Sequence, residues 1–206
     1  MRNLITDVPG LRVGNAQSLK VRTGVTVVLP DKPAVGSIDV SGGAPGTRES
    51  DLLSPSCMSQ HVDGIVLSGG SLYGLDAASG MMHWLRRHGY GSKFLDTTIP
   101  SVPSAIIFDL LNGGDKSWAD EHLYTRLAER AADSVSLDFK LGTEGAGTGC
   151  CAGSIKGGLG SASQVAGNGA IVGAGSVVMR DLPDDIRAFG TPAKVVGPAD
   201  WSRPPV

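Results

Sequence analysis

An excess of charge of one sign is the first thing this sequence lacks: 18 Lys and Arg stand against 20 Asp and Glu, for a net charge of -2. So even a balance leaves no electrostatic footprint for nucleic acid. No apolar run reaches the roughly 18 residues of a membrane-spanning helix, and Met1-Arg2-Asn3-Leu4-Ile5-Thr6-Asp7 has no signal-peptide core. A cytoplasmic protein with neither nucleic acid nor membrane as partner is expected. Cys57, Cys150 and Cys151 are too few and too unevenly spaced for a disulfide framework or a zinc site. His61, His83, His88 and His122 form no i,i+4 pair and no HExxH pattern, so no metal is expected. Aromatic residues make up only 5% of the chain.

What the chain has in abundance is glycine. Its 30 glycines are roughly twice the usual share, without collagen periodicity, so much of this backbone must turn sharply or approach something closely. With 206 residues and 41% hydrophobic content it can bury one core, alone or with a small appendage.

The organising stretch is Val62 to Gly80. Ile65-Val66-Leu67 reads as a buried strand, Ser68-Gly69-Gly70 as a turn where a Cβ would obstruct, and Ser71 as the cap of a helix whose apolar face is Leu75, Ala78, Met82 and Leu85. A helix starting there aims free N–H groups at whatever lies above the turn, which suits an anion, a carbonyl oxygen or a carboxylate. An ordinary strand-to-helix corner reads the same way.

Before this unit, Gly24 to Leu29 and Ala34 to Val40 read as neighbouring strands joined across Pro30-Asp31-Lys32-Pro33. The loop from Ser41 to Asp51 ends in Arg48, Glu49 and Asp51, a site candidate or a solvated loop closed by an ion pair. After it, Ala105 to Leu111 reads as a buried strand. Ser117 with Asp120 resembles a capping box for a helix with Tyr124, Leu127 and Ala131 on its apolar face. Residues 139–163 form a second glycine-rich stretch. Gly145 to Gly149 lacks a Walker ending and Gly157 to Gly160 lacks a βαβ setting, so no nucleotide and no other cofactor is expected. Lys156, alone among glycines, could lower the pKa of a neighbouring hydroxyl or amine, hold a carboxylate, or simply edge a strand.

Taken together, Gly46 to Leu53, Leu67 to Gly80, Ile99 to Leu110, and Gly145 to Gly149 through Lys156 to Ser163 resemble the P1 (DmpA-like) aminopeptidase family, which includes β-peptidyl aminopeptidases and nylon-oligomer amide hydrolases. The resemblance covers residues 1–163. It implies a four-layer αββα sandwich, a precursor that cuts itself into two chains, and a Ser or Thr at the new N-terminus as nucleophile. By motif, Tyr73 resembles the tyrosine that assists at the oxyanion or leaving group, and Lys156 the lysine near the nucleophile. Ser68, Gly69, Gly70, Ser71 and Arg48 complete the expected substrate-binding set.

The chain departs from the family pattern after Ser163. Residues 167–197 resemble instead the last coil and exit of a left-handed β-helix acyltransferase of the hexapeptide-repeat family. Such folds need stacked coils, and their catalytic coils are absent here. The fold class expected is therefore α/β: a partial αββα, DmpA-like sandwich over 1–163, with a short β-helix-like tail over 164–206. No nucleophile is assigned. Ser176 follows Gly175 as a cleavage site would, but in β-helix-like surroundings, and Ser68, Ser71 and Ser161 have no evident base. Three functions follow. The first is an amide hydrolase acting on short peptides or amino-acid amides, catalytically incomplete because the nucleophile-bearing segment is missing. The second is a non-catalytic binding or assembly module left by fusion or truncation. The third is an acyltransferase relative. Loss of central strands leaves sheet faces and edges exposed, so a homo-oligomer is expected unless residues 170–178, with Val177 and Val178, fill a strand position.

Overall fold

The computed structural model describes residues 2–54, 56–58, 61–118 and 121–165, and the backbone alone of short strands at 171–172, 186–189 and 194–198. Five strands form the main sheet: β1 (Leu11–Ser18), β2 (Thr23–Pro30), β3 (Thr47–Arg48), β4 (Ile65–Ser68) and β5 (Ser104–Ile106), in the order β1-β2-β4-β5-β3. β1 and β2 pair antiparallel, from Leu11 opposite Pro30 to Ser18 opposite Thr23. β4 runs antiparallel to β2 and parallel to β5. A parallel pair needs a crossover, and helix α1 (Asp76–Arg87) supplies it.

The alternating pattern of β2 and β4 decides which face is buried. Val25, Val27, Leu29 and Val66 all point to the side covered by α1 and by α2 (Leu123–Asp133), where Ala77, Ala78, Met81, Leu85, Tyr124, Leu127, Ala128 and Ala131 meet them in one dry core. Small residues let the layers close up. A Cβ at Gly14 would run into the Ala131 carbonyl, and one at Gly80 into the Thr125 carbonyl. Two polar ties at the rim hold the helix pair: Trp84 Nε1 donates to Asp133 at 2.7 Å, and Arg87 meets Glu129 at 3.0 Å.

The opposite sheet face is covered in part by a 3-10 turn at Gly145–Gly147, whose Ala146 N–H donates to Thr26 Oγ1 at 3.0 Å. Beyond that cover Ile65 and Leu67 remain 36% and 37% exposed on a central strand. The described residues thus give one helix layer and one sheet layer of the expected sandwich. No described helix is long and apolar enough to cross a membrane.

Several local expectations are corrected. Ala34–Val35 pairs with His61–Val62, and β2 has β1 and β4 as neighbours instead, because the short connection over residues 19–22 turns β1 back against β2 and β4 takes its other edge. The strand expected over 105–111 stops at Ile106, where the chain turns away to place Asp109. Ser71 caps nothing: a 3-10 turn, Ser71–Leu75, intervenes before α1, and no side chain caps either element. Ser117 bonds back to Asp115, and α2 starts only at Leu123. In the tail, Gln164–Val165, Ile171–Val172, Ile186–Phe189 and Lys194–Pro198 form a four-stranded sheet in that order. Ser176, Val177 and Val178 lie outside the described residues.

The close approach at Gly14 makes a direct test. Gly14→Ala should cost about 1–3 kcal/mol of stability, read as a lowered denaturant midpoint, because the α2 backbone must move. Gly43→Ala, which adds a Cβ in open space, should stay within about 0.5 kcal/mol.

Candidate functional site

The candidate site lies where the parallel strands β4 and β5 end, the edge at which open α/β sheets commonly bind ligands. Its centre is a buried carboxylate. Asp109 is 2% exposed, and both of its oxygens are engaged. Oδ2 accepts from the Thr23 hydroxyl at 2.6 Å and Oδ1 from the Gly70 N–H at 2.8 Å. A Cβ at Gly69 or Gly149 would collide with the same carboxylate, so glycine is required where the turn and the second glycine-rich stretch close over it. Lys116 lies nearby with Nζ on the Val21 carbonyl at 2.6 Å. Burial lowers its ammonium's pKa, and the Asp109 charge works against that shift.

The turn itself is strained. Gly70 has φ of 87°, and Ser71 follows at 52°, a left-handed conformation that a residue with a Cβ seldom adopts. The N–H groups of Gly69, Gly70 and Ser71 are all engaged, by Gly24 O, Asp109 Oδ1 and Ile107 O. The expected free donors for an anion are therefore absent from these three positions: the turn uses them to hold its own shape.

Tyr73 is 63% exposed. Its ring stands edge-on to Trp118 with centroids 5.8 Å apart, and Trp118 stands edge-on to Tyr124 at 5.9 Å. Tyr124 packs over Gly70, where a Cβ would strike its ring, and its hydroxyl donates to Thr23 Oγ1 at 3.4 Å. Burial, with the Asp109 charge adding to it, pushes the Tyr124 phenol up to about 12 despite the Thr23 contact.

The remaining expected site residues are placed as follows. Ser68 is buried and donates to the Gly69 carbonyl at 2.9 Å. Arg48 reaches over to the start of α1, with Nη1 on Ser79 Oγ at 2.7 Å and on the Leu75 carbonyl, so it braces the turn from behind. Lys156 is exposed and donates to the carbonyls of Gly147 at 3.0 Å and Gly157 at 2.6 Å, and no hydrogen bond joins it to Tyr73. Ser161 accepts the Ile5 N–H at 2.7 Å, and Ser163 donates to Asp7 at 2.6 Å. The Ser161-Ala162-Ser163 motif is thus a clasp on the N-terminal turn, and neither serine meets a histidine. His88 stacks on Trp84 at 3.9 Å. Among the described residues no His, Cys, Asp or Glu cluster is arranged to hold a metal ion. Sequence reasoning missed Asp109, Thr23 and Trp118. The signal for the first was a lone acid in an apolar run, which must be paired if buried.

Against this geometry, the sequence model of Peptidase family S58 matches residues 3–192, well past Ser163. An uncharacterized aminopeptidase of Mycobacterium bovis is 44% identical over 186 residues, 85% of this chain and 52% of that protein. A 6-aminohexanoate-oligomer endohydrolase of Kocuria is 33% identical over 150 residues, 72% of this chain and 39% of that one. The structure of a Burkholderia beta-aminopeptidase superposes with a TM-score of 0.65 at 23% identity, covering 81% of this chain and 48% of that one, so the fold is shared. The chain spans about half the length of the curated mycobacterial relative it matches.

The clasp yields a pH test. The Ser163 hydroxyl, then the Arg2 N–H, hold the Asp7 carboxyl down to about 2, below the 3.8 of a free aspartate. A depressed carboxyl stabilises the fold above its free value and loses that effect as pH falls through the depressed one. Protection of the Arg2 and Leu4 amides, which donate to Asp7, should therefore fall relative to the intrinsic exchange rate between about pH 4 and pH 2. In Asp7→Asn that protection should already be low at neutral pH, and unchanged protection in both experiments would show that Asp7 does not hold the clasp.

Proposed function

Because the chain belongs to peptidase family S58, we propose that it carries the substrate-facing portion of an amide- and peptide-bond hydrolase for short peptides or amino-acid amides, and does not complete the reaction alone. The observation that carries the second half is the fate of the serines. Ser68 and Ser161 spend their hydroxyls on backbone groups, and Ser71 is tied into a strained turn. An N-terminal nucleophile must supply both hydroxyl and amine base, and no described residue of the site does so. The names of the relatives, a beta-aminopeptidase and a 6-aminohexanoate-oligomer endohydrolase, support amides of amino acids whose amine lies beyond the α-carbon.

In this reading Tyr73 donates its phenolic hydrogen to the developing oxyanion or to the leaving group, for which its exposure at the strand ends suits it. The Lys156 ammonium acts electrostatically, holding a carboxylate or favouring the deprotonated form of an incoming nucleophile. Ser68, Gly69, Gly70 and Ser71 shape the floor, with Arg48 as their brace.

The exposed Ile65 and Leu67 favour a second reading, a binding or assembly module that associates through its open sheet face as a homo-oligomer. Acyl transfer ranks behind both. It rests on the resemblance of residues 167–197 to a β-helix exit, a stretch the S58 match overlaps.

Intact mass and a time course of amine release from a panel of short peptide amides test the proposal. An unbroken 21.1 kDa chain, no turnover, and a raised melting temperature with amino-acid amides are expected. Two chains with a new Ser or Thr N-terminus and steady turnover would overturn the incompleteness. No thermal shift with any amide would favour the assembly module.

A further inference from the structure

The exposed Tyr73 is held by no hydrogen bond of its own side chain to a described residue, yet a continuous set of contacts leads from it to the buried centre. Its ring meets the edge of Trp118 at 5.8 Å, and Trp118 meets Tyr124 at 5.9 Å, both near perpendicular. Edge-to-face pairs have a preferred angle, so each ring constrains the next. The Tyr124 hydroxyl in turn meets Thr23 Oγ1, and Thr23 donates its only hydroxyl hydrogen to Asp109 at 2.6 Å. That donation leaves the Thr23 oxygen as the acceptor that Tyr124 needs, so the carboxylate sets the direction of both hydroxyls. The other oxygen of Asp109 holds the Gly70 N–H, one residue before the 3-10 turn that carries Tyr73.

We propose that Asp109 is the positioning residue for Tyr73, fixing its backbone through Gly70 and its ring through Thr23, Tyr124 and Trp118. The proposal rests on the reading of Tyr73 as a site residue, but concerns where that ring is held rather than whether the chain turns over substrate. Asp109 touches no substrate in this role. It serves to keep an exposed ring in one orientation, where a free tyrosine would sample several rotamers.

The chain has three tyrosines, Tyr73, Tyr90 and Tyr124, so fluorotyrosine labelling gives three fluorine resonances, assignable by single Tyr→Phe changes. Tyr90 lies against Trp84, outside the relay, and reports the fold at large. Thr23→Val, nearly isosteric, removes the hydroxyl relay. It should displace the Tyr124 and Tyr73 resonances by more than their linewidths and leave Tyr90 in place. Thr23→Ser, which restores the hydroxyl, should return both to their original positions. Asp109→Asn should displace the same two lines, and if that variant does not fold, the threonine pair still decides. A Tyr73 line unmoved in Thr23→Val, or three tyrosine lines moving together, would overturn the proposal. Activity does not enter the readout, so an inactive chain with the expected shifts leaves this inference standing and bears only on the proposed function.

Discussion

A carboxylate sealed in the interior is the constraint around which this fold closes. Removing Asp109 from water is costly unless each oxygen finds a donor, and here the start of β2 and the turn after β4 provide one each. The two donors come from segments 86 and 39 residues away, so satisfying one acid fixes the relative placement of three parts of the chain. Glycine follows from the same constraint. Gly69 and Gly149 lie where a side chain would collide with the carboxylate, and Gly70 lies under the Tyr124 ring. Part of the unusual glycine content therefore has a local cause: the backbone must come close to a buried charge.

On the helix side the layers close by ordinary means. Valine and leucine from β2 and β4 meet alanine-rich faces of α1 and α2, and Gly14 and Gly80 remove the side chains that would keep backbones apart. Burial of this kind contributes about 25 cal/mol per Å² of apolar surface, and the small residues permit tight packing. The other side of the sheet differs. A 3-10 turn shields Thr26, while Ile65 and Leu67 stay partly in water, which is uncommon for apolar residues on a central strand. Among the described residues the main sheet thus carries one helix layer, and its other face is covered only in part.

The strands at 65–68 and 23–30 were legible because periodicity and β-branching are local, and so were the helix faces carrying Leu85 and Leu127. The family was legible from four glycine-rich motifs in order. What was not legible is what those motifs do. Ser71 reads as a cap and is a strained turn residue, since Asp109 claims the N–H of Gly70 before it and Ile107 its own. Ser161 and Ser163 belong to the last of these motifs and form a clasp on Ile5 and Asp7, 156 residues away in sequence. Arg48, whose place in the motif says nothing of its partners, bonds to Leu75 and Ser79 at the start of α1. In each case the partner is distant in sequence, so no window of neighbouring residues could reveal it. Asp109 was hidden for the opposite reason: its apolar neighbours made the run look like a strand interior.

If the buried carboxylate governs the arrangement, its pairing with Thr23 must be energetically coupled and not merely near. A double-mutant cycle of Thr23→Val and Asp109→Asn by equilibrium unfolding measures this directly. The two losses should fail to add, with a coupling on the order of 1–3 kcal/mol, because each change removes the same interaction. Strictly additive losses would contradict this, leaving Asp109 and Thr23 as independent buried polar groups and the turn at Gly70 without its anchor.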